Sequence, residues 1–258
     1  MAKLKIAIDA GHGSDTAGKR TPPMPAAIDI DQDGKAEIDQ GDQYREHYAN
    51  VGVAQYLVQE LERCGFYTYR SGFDNANAYD DPDQALPERQ KAIAKADCDY
   101  SISIHFNAYG DGKSFNSAKG VGIYIHNKNV GQSEKLAKAV LNKLIQGKKQ
   151  ANRGISKQAL AMCNCINLDV KAAILVELAF MTNIEEATTM MANQVFWKEC
   201  AQEIARGVCE YTGVKYISEA KMIYKVQVGA FAVRKNAEQL KTKLMDAGFE
   251  ADIVEVQN

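Results

Sequence analysis

The sequence predicts an α/β protein with a mostly parallel sheet covered by helices on both faces, followed by a small C-terminal β-α-β unit. Three observations carry this reading. Short β-branched or aromatic runs alternate with longer segments through the first two hundred residues. Apolar positions in the longer segments recur at spacings of three and four, and glycines stand at several of their ends.

Taken in order, Lys5 to Ala10 (KIAIDA) is expected as the first strand. Tyr48 to Cys64 follows as a helix, with Val51, Ala54, Leu57, Val58 and Leu61 on one face and Gly65 as its stop. Phe66 to Arg70 (FYTYR), Tyr100 to His105 (YSISIH) and Gly122 to Ile125 (GIYI) have strand composition. Ser133 to Ile145 is expected as a helix capped by Ser133, with Leu136, Ala139, Val140 and Leu144 facing inward. Ala172 to Leu178 (AAILVEL) supplies another strand, and Asn193 to Tyr211 a helix ended by Gly213.

Two stretches depart from the alternation. Ser14 to Tyr44 carries Pro22, Pro23, Pro25 and many Asp with almost no apolar periodicity, so it is expected as a long loop at the rim of a site. Near Ser218 to Met222 a second break precedes Ile223 to Val228 (strand), Val233 to Ala247 (helix, stopped by Gly248) and Ala251 to Val256 (strand). The expected division is residues 1–216 as the main domain, 217–222 as linker and 223–258 as the tail. A unit of about 35 residues lies below the size that usually folds alone.

Composition excludes several classes. Among 258 residues, 31 Lys and Arg stand against 33 Asp and Glu, a formal net charge of -2 that gives no global attraction to nucleic acid or to an anionic membrane. No run approaches the roughly 18 apolar residues of a membrane span. The start MAKLKIAIDAGHG reads as a strand entering a loop, so synthesis in the cytoplasm without a signal peptide is the expectation. The six cysteines show no CxxC pair and are read as buried free thiols, with Cys163-x-Cys165 a possible exception.

Chemistry concentrates at strand ends, where ligands gather in open α/β sheets. His12 sits between Gly11 and Gly13 directly after the first strand, and His105 ends another. Glu177 is a carboxylate inside the apolar run Ile174 to Phe180. A buried carboxylate needs a partner, so Glu177 is either half of an ion pair with Arg89 or Arg153, or a group working on a ligand. Glu46 opens a helix, where the macrodipole already favours an acid. His12, Glu46 and His105 together give the two-His, one-carboxylate count of a catalytic zinc site, with Glu177 placed to act as base.

The blocks IAIDAGHG, EHYANVGVAQYLVQEL (with Glu46 four residues before Asn50), DYSISIHFNA and ILVELAFMTN resemble, in order, the signature blocks of zinc-dependent N-acetylmuramoyl-L-alanine amidases, over roughly residues 3 to 213. The resemblance implies a three-layer α/β/α domain with a central six-stranded sheet, one zinc ion per chain, and cleavage of the peptidoglycan amide between the lactyl group of muramic acid and L-alanine. By position, His12, Glu46 and His105 look like the metal ligands and Glu177 like the catalytic glutamate. Asn107 matches a family asparagine and is assigned to substrate binding, while Arg89 matches an arginine read as structural. Asp9 is expected to orient His12 through its second ring nitrogen. Glu37 lies in the same interval as Glu46, but the Asn50 spacing and the following helix favour Glu46. His47 and His126 match no site position and are read as structural or surface residues.

The tail YKVQVGAFAVRKNAEQLKTKLMDAGFEADIV resembles the first half of the sporulation-related repeat, a peptidoglycan-binding module. With one half present, two tails are expected to pair, making a homodimer. The alternatives to amidase action are a zinc peptidase cutting within the stem peptide and a cell-wall-binding protein without catalysis. An enzyme of this kind lacking a leader fits a phage endolysin or a mother-cell autolysin.

Overall fold

The computed structural model of the chain describes residues 3–128, 130–146, 150–219 and 227–255. The residues divide into two compact units, Met1–Ser218 and Glu219–Asn258.

The first unit is a six-stranded sheet. Its strands are β1 (Lys5–Ala10), β2 (Tyr67–Ser71), β3 (Tyr100–Asn107), β4 (Val121–Ile125), β5 (Asn152–Lys157) and β6 (Ala172–Phe180). They lie in the order β2-β1-β3-β6-β4-β5, and only the β4–β6 pairing is antiparallel. Helices α1 (Glu46–Arg63), α3 (Val130–Ile145) and α4 (Gln194–Thr212) cover one face, and α2 (Leu86–Lys95) lies on the other.

Strand parity divides the layers, because successive side chains point to opposite faces. Ile6 and Ile8 of β1, Ile102 and Ile104 of β3, and Ile174 and Val176 of β6 join the large core beneath α1, α3 and α4. Ala7 and Ala173 belong to the smaller cluster with Ile93 of α2, Met162 and Leu168. Asp9, Ser103, His105 and Glu177 share the parity of this thinner layer, and that is how polar groups enter a sheet whose other face is sealed.

α1 begins two residues before its expected start. Lys19 in the long loop supplies the reason: its carbonyl accepts from the Glu46 backbone N–H at 3.0 Å, satisfying a donor that Arg45 leaves uncapped. All five of the predicted inward residues of α1 are buried, each worth about 1.5–3 kcal/mol for a large aliphatic side chain. α4 follows its expected pattern, with the Asn193 side chain accepting from Val195 and Phe196 N–H and Gly213 in the left-handed conformation.

Ser133 does not cap α3. The helix reaches back to Val130, and the Ser133 hydroxyl lies inside it, accepting from the Ala173 N–H at 3.1 Å. β5 and α2 are additions to the expected elements. β5 is an edge strand, NRGISK, with little apolar alternation. The stretch from Ser14 to Tyr44 is a loop, but one fastened to the body: Met24, Ile30, Ile38 and Tyr44 are buried, and Gln194 N–H donates to the Ile30 carbonyl. Ile217, expected in the linker, is tied to α1, its N–H 3.3 Å from Cys64 Sγ and its carbonyl accepting from Arg63 Nε at 2.9 Å.

In the second unit, α5 (Arg234–Asp246) forms as expected, with no buried residue. The expected strand at Ile223 to Val228 falls largely outside the described residues. The described part of the last expected strand, Ala251 to Glu255, is not a strand, because no other described segment pairs with its backbone and a lone extended segment has no ladder.

Candidate active site

The loop after β1 is shaped by three side chains. The Gly11 carbonyl accepts from Asn50 Nδ2 at 3.0 Å and is 3.0 Å from His47 Nδ1. His47 and Asn50 are three apart on α1, so one helix face reaches one carbonyl. Arg89 holds the next turn, donating from Nη1 to the Ala10 carbonyl at 2.7 Å and from Nη2 to the His12 carbonyl. His12 thereby occupies the left-handed region at φ 66°, a conformation costly for a residue with a Cβ.

His12, Glu46 and His105 meet there. Their ligand atoms lie within 4.8 Å of one another, with His12 Nε2 3.2 Å from Glu46 Oε2 and His105 Nδ1 3.0 Å from Glu46 Oε1. The imidazoles stand edge to face, ring centres 4.9 Å apart. Gly11 makes this possible, since a Cβ there would stand 2.1 Å from His105 Cε1. Burial pushes the Glu46 carboxyl upward, but hydrogen bonds and charge from His105 and His12 outweigh it and hold the group well below the usual carboxylate range. Burial depresses His105, and Glu46 reverses this to a net rise. An ionised carboxylate between two imidazoles is a donor set suited to a divalent cation.

Glu177 is paired in register with His105 on one side and Gly122 on the other. Neither Arg89 nor Arg153 reaches it: Arg89 serves Asp9 and Asp83, and Arg153 lies over the Phe180 ring. Its Oε2 is buried with no hydrogen-bond partner among the described residues. Burial is the main cause raising its carboxyl to about 7, Glu46 adding to the rise while His105 and Lys19 oppose it. Glu186, also buried, contrasts with it, because its oxygens accept from Gly120 and Phe180 N–H groups.

Asp9 requires a correction. Its carboxylate accepts from Ser71 Oγ at 2.8 Å, Ser103 Oγ at 2.6 Å and Arg89 Nη1 at 3.2 Å, not from the His12 ring. Ser71 and Ser103 are its register partners on β2 and β3, so the row holds Asp9 within the sheet. Arg89 contacts both Asp9 and His12, donating to the Asp9 carboxylate and to the His12 carbonyl. Asn107 ends β3 at the same edge, its Oδ1 accepting from the Ala108 N–H. Glu37 is turned away, accepting from the Ile30 N–H inside the long loop. His47 is fully buried, and His126 lies at the far end of β4, which runs antiparallel to β6. A cavity of about 320 Å³ opens beside the histidines, lined by Gly11, His12, Leu86, Arg89, His105 and Met162.

Fold and geometry define an α/β/α protein with a candidate mononuclear metal centre and an adjacent buried glutamate at the carboxyl edge of its sheet. The chain belongs to the N-acetylmuramoyl-L-alanine amidase family, which matches residues 6–210. A second match, to the SPOR domain, covers residues 220–258. The sporulation-specific N-acetylmuramoyl-L-alanine amidase of Bacillus subtilis (strain 168) is 26% identical over 170 residues, 66% of this chain and 62% of that protein. N-acetylmuramoyl-L-alanine amidase CwlM of Bacillus licheniformis is 27% identical over 253 residues, covering 97% of this chain and 85% of the other. The crystal structure of an N-acetylmuramoyl-L-alanine amidase from Clostridium difficile 630 shares the fold at TM-score 0.63 and 22% identity, over 83% of this chain and 98% of that one. Among the described residues, no helix is long and apolar enough to cross a membrane.

Proposed function

We propose that this chain hydrolyses the amide between the lactyl group of N-acetylmuramic acid and L-alanine in bacterial peptidoglycan, and that His12, Glu46 and His105 hold one zinc ion for the purpose. The observation that carries the reading is the pairing of a cation-ready cluster with Glu177, a buried carboxyl near 7 that makes no ion pair among the described residues, one residue pair across the sheet. When bound, zinc supplies Lewis acidity, acidifying water and polarising a carbonyl.

The remaining work falls to this chain's residues. Glu177 takes the proton from the attacking water and returns it to the leaving amine of L-alanine, a shuttle suited to a carboxyl whose proton affinity sits near neutrality. Glu46 stays anionic throughout and keeps the two imidazoles converged. Arg89, with Asp9 beneath it, fixes the His12 backbone. Asn107 and the rim of the long loop at Lys19 contact the substrate in this proposal. The tail is assigned to peptidoglycan binding on its SPOR match, and two tails pairing to complete the module would yield a dimer by light scattering; a monomer would sink that part of the proposal.

The test is digestion of purified cell walls. Glu177→Ala should abolish the fall in turbidity while the protein keeps its zinc. Lysis by this variant at the wild-type rate would overturn the role given to Glu177.

A further inference from the structure

We propose that Lys19 reads the peptide side of the scissile bond: its ammonium binds a free carboxylate on the stem-peptide residue that follows L-alanine. The inference rests on the amidase reading above and narrows the substrate within it.

The backbone fixes Lys19 where it stands. This part of the long loop runs antiparallel to the chain entering α1. The Lys19 carbonyl accepts from Glu46 N–H at 3.0 Å, Arg20 and Arg45 form a bridge, Thr21 N–H donates to the Tyr44 carbonyl at 2.9 Å, and Met24 N–H donates to the Asp42 carbonyl at 2.8 Å. Side chains close the same seam. The buried Thr21 hydroxyl accepts from Tyr44 N–H at 2.9 Å, and the Thr21 carbonyl accepts from Gln43 Nε2 at 2.9 Å. Lys19 is thus held one hydrogen bond from a residue of the metal cluster, and a group positioned in advance loses less freedom on binding.

The side chain is half-buried, and among the described residues it makes no ion pair. Arg89, by contrast, is engaged by Asp9, Asp83 and the Ala10 carbonyl. An ammonium offers three donors and no acceptor, so its natural partner is an anion. Its charge is felt at Glu177, which puts it on the Glu177 side of the cluster. Glu177 returns its proton to the leaving amine of L-alanine, so the peptide lies on that side. The glycan side has no charge to offer, because the lactyl carboxyl is consumed in the amide and the N-acetylated sugar is neutral. The residue after L-alanine is one peptide unit further, about 3.8 Å between Cα atoms, within the span of a lysine side chain. Where its carboxyl is not amidated, it is the anion within reach.

The test uses two soluble muropeptide preparations that differ only in the residue after L-alanine, D-isoglutamate in one and D-isoglutamine in the other. Release of free L-alanine amino termini is followed for the full-length wild type, Lys19→Gln and Lys19→Arg. The wild type should favour the carboxylate substrate on the order of 10-fold in kcat/KM, as loss of one charge-assisted hydrogen bond implies, with the difference in KM. Lys19→Gln should bring the ratio to about 1, and Lys19→Arg, which keeps the charge, should retain most of it. Equal kcat/KM for the two substrates in the wild type overturns the inference and leaves the amidase reading intact. A Lys19→Gln protein that is slower on both substrates but keeps the wild-type ratio also overturns it, since the lysine then acts on the site and not on the substrate carboxylate. Release of no L-alanine termini from either substrate by the wild type counts against the amidase reading itself, and the inference falls with it.

Discussion

Gly11→Ala isolates the geometry of the metal centre with a single methyl group. The new Cβ would stand 2.1 Å from His105 Cε1, 2.3 Å from Nε2 and 2.6 Å from Nδ1, where ordinary contact begins at 3.4 Å, a shortfall of 1.3 Å at the nearest atom. Gly11 is not among the positive-φ residues, so alanine is allowed on backbone grounds and the effect is steric. Either the imidazole or the His12 loop must retreat, and metal sites tolerate displacements of only about 0.2 Å. Overpacking of this kind costs about 1–3 kcal/mol. Zinc affinity should fall on the order of 10–100-fold, the loss typical when a group that positions a ligand is changed. Competition against a chromogenic chelator measures the affinity, and thermal unfolding in a chelator measures the metal-free fold. Gly131→Ala, with open space around its Cβ, is the control and should be neutral or slightly stabilising. A Gly11→Ala protein that binds zinc with wild-type affinity would refute the reasoning.

Three further outcomes are expected. In metal-free protein, Glu177 is raised from 4.5 to about 7, so its contribution to stability is complete below pH 4.5 and lost as pH rises through about 7. That loss is roughly 3 kcal/mol, seen in urea titrations, and Glu177→Gln should flatten it; an unchanged slope in the variant contradicts the assignment. Arg89→Met leaves the buried Asp9 without its cation and should cost about 3–5 kcal/mol in the same titration, against an expectation of under about 1 kcal/mol for a surface pair. Ending the chain after Gly213 removes the hydrogen bonds of Tyr216 to Glu60 and of Ile217 to Arg63 and Cys64, a loss of roughly 2–4 kcal/mol, whereas ending it after Ser218 should leave the thermal midpoint unchanged. Equal midpoints for the two truncations would count against this boundary.

Much of the fold is legible where burial repeats along the chain. α1 and α4 carry strong periodicity because each packs one face against the core, and β1, β3 and β6 stand out as short apolar runs because they are buried on both faces. β5 escapes a reading by pattern because an edge strand with exposed and half-buried residues has none. α2 escapes it although Pro87 stands in its first turn, because its buried residues include Arg89 and Gln90, polar groups that hide the helical stripe. Within the site, residues at strand ends can be picked out one by one, and Glu177 by its apolar setting. Their convergence cannot, since the ligands are separated by tens of residues and are brought together only by the register of β1, β3 and β6 and by the start of α1. The contacts of Asp9 are hidden for a similar reason: Ser71 and Ser103 become its neighbours only through the register of β1 with β2 and β3. The pair His47 and Asn50 has a local signal in EHYAN, three residues apart on one helix face, but nothing in the sequence shows the Gly11 carbonyl that they share.

The central claim is the bond that is cut. Mass spectrometry of muropeptides after digestion of purified peptidoglycan by wild type and by Glu177→Gln tests it directly. Wild type should release stem peptides with free L-alanine amino termini and leave glycan strands with free lactyl carboxylates, and the variant should release neither. New termini within the stem peptide, or release by the variant at the wild-type rate, would contradict the account.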